Sequence, residues 1–186
     1  MKSFFFIFFI FFIFLYNCNK SNPVLSSDNY YIKKVGYKLI TIDSLEVSPE
    51  QLKNVDSCIF KQLYDSKGSM DQKFYYYSIN KIDKNYYSII IYHIYSDKYS
   101  SLILCNFNLS NKLISKIELF RLEGDGELFN NTSSKFLSDT FIKINEVSGF
   151  YRFEDTVDIK NIIEQKEYLI KINSKGQVMP HLSSYE

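Results

Sequence analysis

The chain has 186 residues, 22 Lys and Arg against 21 Asp and Glu, and a formal net charge of +1. That length sets a prior of one domain with a short appendage, large enough to bury roughly two thirds of its unfolded surface. A near-neutral chain without a basic block offers nucleic acid no electrostatic footprint, which excludes that partner.

Residues 1–17 read as a signal peptide. Lys2 is followed by an unbroken apolar run over residues 4–16, shorter than the roughly 20 residues a membrane-spanning helix needs. An uncleaved anchor is the alternative reading. The sequence contains no Ala, so the A-x-A-like cut of ordinary signal peptidase has no match. The run closes instead on Leu15-Tyr16-Asn17-Cys18, a junction that resembles a bacterial lipobox. Leu15 and Cys18 match that pattern. Tyr16 and Asn17 depart from it, because small residues usually fill those places. The resemblance implies a diacylglyceryl thioether on Cys18 and cleavage before it. Two or three acyl chains, at about 0.8 kcal/mol per buried methylene, anchor a protein stably where one does not. Removing the leader takes Lys2 and no acid, so the mature side chains are neutral.

Residues 18–28 follow as a polar tether, and residues 29–186 as a single β-rich domain. Position 19 is Asn, not the Asp that in some such lipoproteins signals retention in the inner membrane. The resemblance therefore implies the periplasmic face of the outer membrane, with covalent lipid as the membrane partner. Sequons at Asn19, Asn108, Asn130 and Asn131 would matter only in a eukaryotic host, where the leader would equally direct secretion.

Residues 30–43 suggest a strand broken near Gly36. Ser48, Pro49 and Gln51 form a capping-box pattern. With Leu52, Val55, Ile59 and Leu63 at helical spacing, they predict one helix over about 49–64, stopped by residues 65–68. Beyond it, β-branched and aromatic runs alternate with short polar turns. Strands are expected over 74–82, 86–95, 99–109, 113–122, 136–147, 149–154 and 167–173. The run 86–95 is apolar on both faces, which predicts a central strand covered on each side. The expected fold is mainly β, an antiparallel meander or sandwich with one packed N-terminal helix.

Aromatic residues make up 18% of the chain, 16 Tyr and 17 Phe with no Trp. AT-rich codon usage and strand packing account for most of that bias, although Tyr clusters also build sugar- or protein-binding surfaces. Cys58 and Cys105 read first as small buried hydrophobes, with a disulfide between them left open. Glu123-Gly124-Asp125-Gly126-Glu127 has the look of a calcium loop but too few oxygen ligands, so a hairpin turn is the simpler reading. His93, inside an apolar strand, is expected to be a hydrogen-bonded core residue. His181 falls near a loose C-terminus, and Glu154-Asp155 in a solvated loop. No phosphate loop, nucleophile elbow or zinc spacing is present, so no catalytic residue, cofactor or metal is expected.

Over residues 102–178 the strand-turn-strand pattern, carried by Leu102-Ile103-Leu104-Cys105 and by Lys171-Ile172-Asn173-Ser174-Lys175-Gly176, resembles small uncharacterised Gram-negative lipoproteins with a relaxed lipobox. That resemblance implies no activity and no functional residue besides Cys18. The expected function is non-enzymatic, with an envelope protein or a small ligand as partner. The alternative is a small-ligand or glycan binder using aromatic side chains on the sheet. An enzyme would need His93 or His181 beside a carboxylate in a cleft.

Overall fold

The computed structural model describes residues 41–42, 48–64, 71–96, 99–125, 127–154 and 157–181. The leader, the tether with Cys18, most of the expected strand over 30–43, the helix stop at 65–68, Gly126 and Asp155 lie outside the described residues.

Among the described residues the chain forms β1 (Thr41–Ile42), a 3-10 turn (Pro49–Gln51), β2 (Lys53–Asn54) and α1 (Ser57–Leu63). Eight strands then follow without interruption: β3 (Lys73–Ile82), β4 (Tyr86–Ser96), β5 (Tyr99–Asn108), β6 (Leu113–Asp125), β7 (Leu128–Phe136), β8 (Phe141–Glu154), β9 (Val157–Ile172) and β10 (Val178–His181). Spatial order from β2 to β10 equals chain order, and each neighbouring pair is antiparallel. Only β1 leaves this path, pairing with Ser134 and Lys135 of β7. The fold is therefore mainly β, a single antiparallel meander with one helix, as the short polar turns require.

Two apolar clusters hold it, and β4 contributes to both. Tyr86, Ile90 and Tyr92 join Leu102 and Leu104 of β5, Ile142 and Ile144 of β8, and Ile170 and Ile172 of β9. Residues from both ends of the meander share this cluster, so the sheet curves back on itself. Tyr87, Ile89 and Ile91 point the other way, against Ile59 and Leu63 of α1, Phe74, Tyr76, Cys105 and Phe107. The central, doubly covered strand expected over 86–95 is β4. A buried polar knot ties the curve shut, since the Asn106 amide donates to the Gly176 carbonyl (2.9 Å) and the Ser115 hydroxyl to the same oxygen (2.6 Å). Gly176 has φ +78°, and a Cβ there would sit 2.9 Å from the Tyr86 ring, so only glycine suits the turn.

The helix is shorter than the sequence pattern predicts. Residues 49–51 make only a 3-10 turn, Lys53 and Asn54 pair with Tyr76 and Tyr75 of β3, and α1 begins at Ser57. The expected capping box does not form, because the Ser48 hydroxyl meets Glu50 rather than a backbone amide. Pairing with β3 recovers backbone hydrogen bonds and leads Val55 into the helix-side cluster, which outweighs one extra helical turn. Gln62 then locks α1 to the β5–β6 turn, donating to the Asn111 carbonyl (2.8 Å) and accepting from the Leu113 amide (2.7 Å).

Elsewhere the sequence pattern misplaces elements. The strand expected over 136–147 is split by a turn at 137–140, and the polar segment 128–136 is the strand β7. β8 runs unbroken through Gly149, across a register shift that sets Ser148 against Glu164 and Gly149 against Ile162. β9 begins ten residues before position 167, and Glu154 closes β8 rather than sitting in a loop. The C-terminal segment is not loose at His181, whose backbone pairs with Leu169. Cys105 is a free, fully buried thiol, so it is not joined to Cys58. No helix among the described residues is long and apolar enough to cross a membrane.

Candidate functional site

α1 covers only part of its side of the sheet. Past Leu63, the same side of β3–β6 opens into a cleft of about 1010 Å3, whose far wall comes from the β6–β7 hairpin and the middle of β8 and β9. Its near wall is aromatic. Phe74 and His93 are opposite each other on β3 and β4, and their rings stack at 4.3 Å and 6°. Tyr95 and Tyr99 stand edge-on to His93 at 6.1 and 6.0 Å, and to each other at 5.5 Å. These are favoured edge-to-face geometries. Across the cleft Phe129 packs on Tyr151 at 5.0 Å. Its ring lies over Gly149, where a Cβ would come within 2.8 Å of it.

His93 departs from expectation in one respect. It is buried, but Nε2 has no hydrogen-bond partner among the described residues. Burial pushes its pKa down to about 4, against an opposing pull from Glu118, so the imidazole is neutral at physiological pH. Aromatic stacking, not hydrogen bonding, holds it.

A polar network borders the rings. The Tyr99 hydroxyl donates to Glu118 at 3.0 Å, and Arg121 Nε donates to both carboxylate oxygens at 3.1 and 3.0 Å. Arg121 also lies 3.8 Å from Glu123 and rests over the Tyr99 ring at 5.9 Å. These bonds, led by the one to Glu118, raise the Arg121 pKa further, while burial raises that of Tyr99. A guanidinium held bidentately and stacked is a fixed wall rather than a mobile charge.

Of the residues singled out from sequence, the structure brings His93, Glu123 and Gly124 to the cleft. Asp125 pairs with Leu128, which joins β6 to β7 as an antiparallel hairpin. Among the described residues no group of three His, Cys, Asp or Glu side chains could hold a metal. Cys18 lies outside the described residues. Sequence reasoning passed over Phe74, Tyr95, Tyr99, Glu118, Arg121 and Phe129, because each looks like any other member of an aromatic or polar alternation. The one available signal was the cross-strand row Phe74, His93, Ser101 and Arg121, which becomes visible only once register is known. No protein-family model, curated protein or solved structure matches this chain.

Proposed function

We propose that this protein is an envelope lipoprotein, tethered through Cys18, whose β domain acts without catalysis by binding a small ligand in the aromatic cleft. The observation that carries the reading is the grouping of Phe74, His93, Tyr95, Tyr99 and Phe129 around one concavity. Its volume lies at the top of the roughly 300–1,000 Å3 typical of small-molecule sites, and its walls are mostly apolar with a few fixed polar groups, as such sites require. The leader and Leu15-Tyr16-Asn17-Cys18 support the tether. The tether places the domain at the periplasmic face of the outer membrane in this reading. A second reading, docking of an envelope protein, is favoured by β9. There β10 covers only Leu169–Ile172, and Ile162 and Ile163 are 56% and 70% exposed.

Binding is tested with 1-N-phenylnaphthylamine, a neutral apolar dye that brightens in apolar clefts. The domain is expected to bind it saturably, and Leu128→Glu with Ile163→Glu, both exposed cleft-lining positions, to weaken it by about ten-fold. Equal binding by the double variant overturns the cleft assignment.

The tether is tested by the intact mass of membrane-extracted protein, unreduced, beside Cys18→Ser. A chain starting at Cys18 and heavier by acyl groups supports it. The sequence holds three cysteines and Cys105 is free, so a thioether at Cys18 and an intrachain disulfide to Cys58 exclude each other. An unlipidated mass with a Cys18–Cys58 bond overturns the tether and leaves the cleft reading standing.

A further inference from the structure

The aromatic cleft has a neighbour of different chemistry. Asn130 and Ser148 line both it and a smaller cavity of about 160 Å3, walled by Arg121, Glu146, Glu164 and Lys166. The charges lining this annex balance in number, Arg121 and Lys166 against Glu146 and Glu164. Arg121 is held by Glu118, Lys166 lies 2.9 Å from Glu164, and the Tyr168 hydroxyl donates to Glu146 at 2.7 Å. The annex therefore offers donors and acceptors without a net charge.

The mouth of the cleft is apolar. Leu128 and Ile163 line it while remaining 61% and 70% exposed, and Phe150, directly opposite Leu128 in the ladder, is 38% exposed. Scattered surface leucines need no explanation, but apolar surface continuous with an apolar cleft marks an interaction site.

We propose that cleft and annex form one site for a single-chain amphiphile, its acyl tail in the cleft and a net-neutral head group in the annex. The inference rests on the reading of the cleft as a ligand site and names the ligand's class. A flat aromatic ligand would fill the cleft and leave the annex groups uncovered. A glycan would set hydroxyls against Leu63, Ile103 and Ile117, which line the cleft and cannot hydrogen-bond them. An ionic head would meet as many like charges as counter-charges in the annex lining, losing its hydration for no net counter-charge. A hydroxylated or zwitterionic head loses less and finds partners of both signs. The exposed rim of Leu128 and Ile163 is where the tail would enter.

The test is displacement of bound 1-N-phenylnaphthylamine, with every amphiphile kept below its micellar concentration. The probes are monooleoylglycerol and lysophosphatidylcholine as net-neutral amphiphiles, oleate and a trimethylammonium amphiphile as charged ones, and maltotriose as a glycan. Net-neutral amphiphiles are expected to displace the dye about ten-fold better than the charged pair. Lys166→Glu, at a side chain 59% exposed and so safe for folding, should shift that preference toward the cationic amphiphile. Ser148→Leu, at the junction, should erase the preference among the amphiphiles.

Displacement that follows the tail alone, or better displacement by a charged amphiphile or the glycan, overturns the proposal and leaves the cleft reading intact. Absence of dye binding removes both, and that is already visible before any amphiphile is added. A dimer by light scattering that dissociates with Ile163→Glu, without amphiphile binding, also overturns it, assigning the apolar mouth to a second copy.

Discussion

β4 buries every side chain from Tyr86 to His93, whereas β9, the longer strand, exposes every one from Ile162 to Glu167. Both are paired along the ladder by the same backbone hydrogen bonds. β4 has neighbours on both edges and cover on both faces, from α1 on one side and the curved-back β8–β9 end on the other. Over residues 157–168, β9 pairs with β8 alone among the described residues. Strand formation thus needs only a partner backbone, while burial needs something to lie over the strand. The difference separates the part of the molecule that makes it stable from the part free to meet a ligand.

The comparison breaks first on apolar truncation. Ile89→Ala and Ile91→Ala, at fully buried sites, should each cost about 2–5 kcal/mol, and Ile162→Ala or Ile163→Ala no more than about 0.5 kcal/mol. Urea midpoints check this, and comparable losses at the two ends would mean that β9 is covered in solution.

Gly149 probes where the ends meet. A Cβ there would fall 2.0 Å from the Asn161 carbonyl oxygen and 2.8 Å from the Phe129 ring. Gly149→Ala should therefore cost about 1–3 kcal/mol by overpacking and weaken dye binding, since Phe129 must move. Unchanged stability and dye affinity would show that the β8–β9 end yields without strain.

His93 sharpens the comparison through pH. Its folded-state pKa of about 4 lies below the ordinary 6.5, so above pH 6.5 neither state carries a proton and nothing is lost. Below it the unfolded chain takes up a proton that the fold refuses, and stability falls until about pH 4, where the loss levels off. Discounted for partial solvent contact, the loss is roughly 1–2 kcal/mol. His93→Phe keeps a ring on Phe74 and removes this increment, so the wild type should lose more stability than the variant between pH 7.5 and 4.5. Equal losses would show that the fold accepts the charged imidazole.

The smallest effect belongs to Cys105. Burial raises its thiol pKa to about 12, so it is protonated and enclosed at neutral pH. Iodoacetamide should leave it unmodified in native protein and label it within minutes in urea, by mass spectrometry. Native labelling would mean that the helix-side cluster opens readily.

Legibility followed amphipathic contrast. β3, β4 and β5 were read to within a residue or two, because their apolar runs end on polar turns. β7 was missed because Thr132 and Ser134, both buried, occupy positions where an inward-facing alternation should be apolar. The first half of β9 was missed because Asn161 and the adjacent Ile162 and Ile163 break the alternation begun at Val157. The helix was overextended because Leu52 and Val55 fit helical spacing, while Lys53 and Asn54 between them pair with Tyr76 and Tyr75, more than twenty residues away. Of the cleft, His93 and the Glu123–Gly124 corner were noticed, but nothing local joined them to Phe129.

By itself the sequence determined the fold class, the doubly buried central strand and the near-neutral charge, because these depend on composition and short-range periodicity. Tertiary structure alone decided where the sheet curves, how far α1 reaches and which aromatics face a cleft. Those features depend on cross-strand register and on contacts between residues far apart in the chain, and a period-two pattern reads the same whether a neighbouring strand, a helix or solvent lies against it.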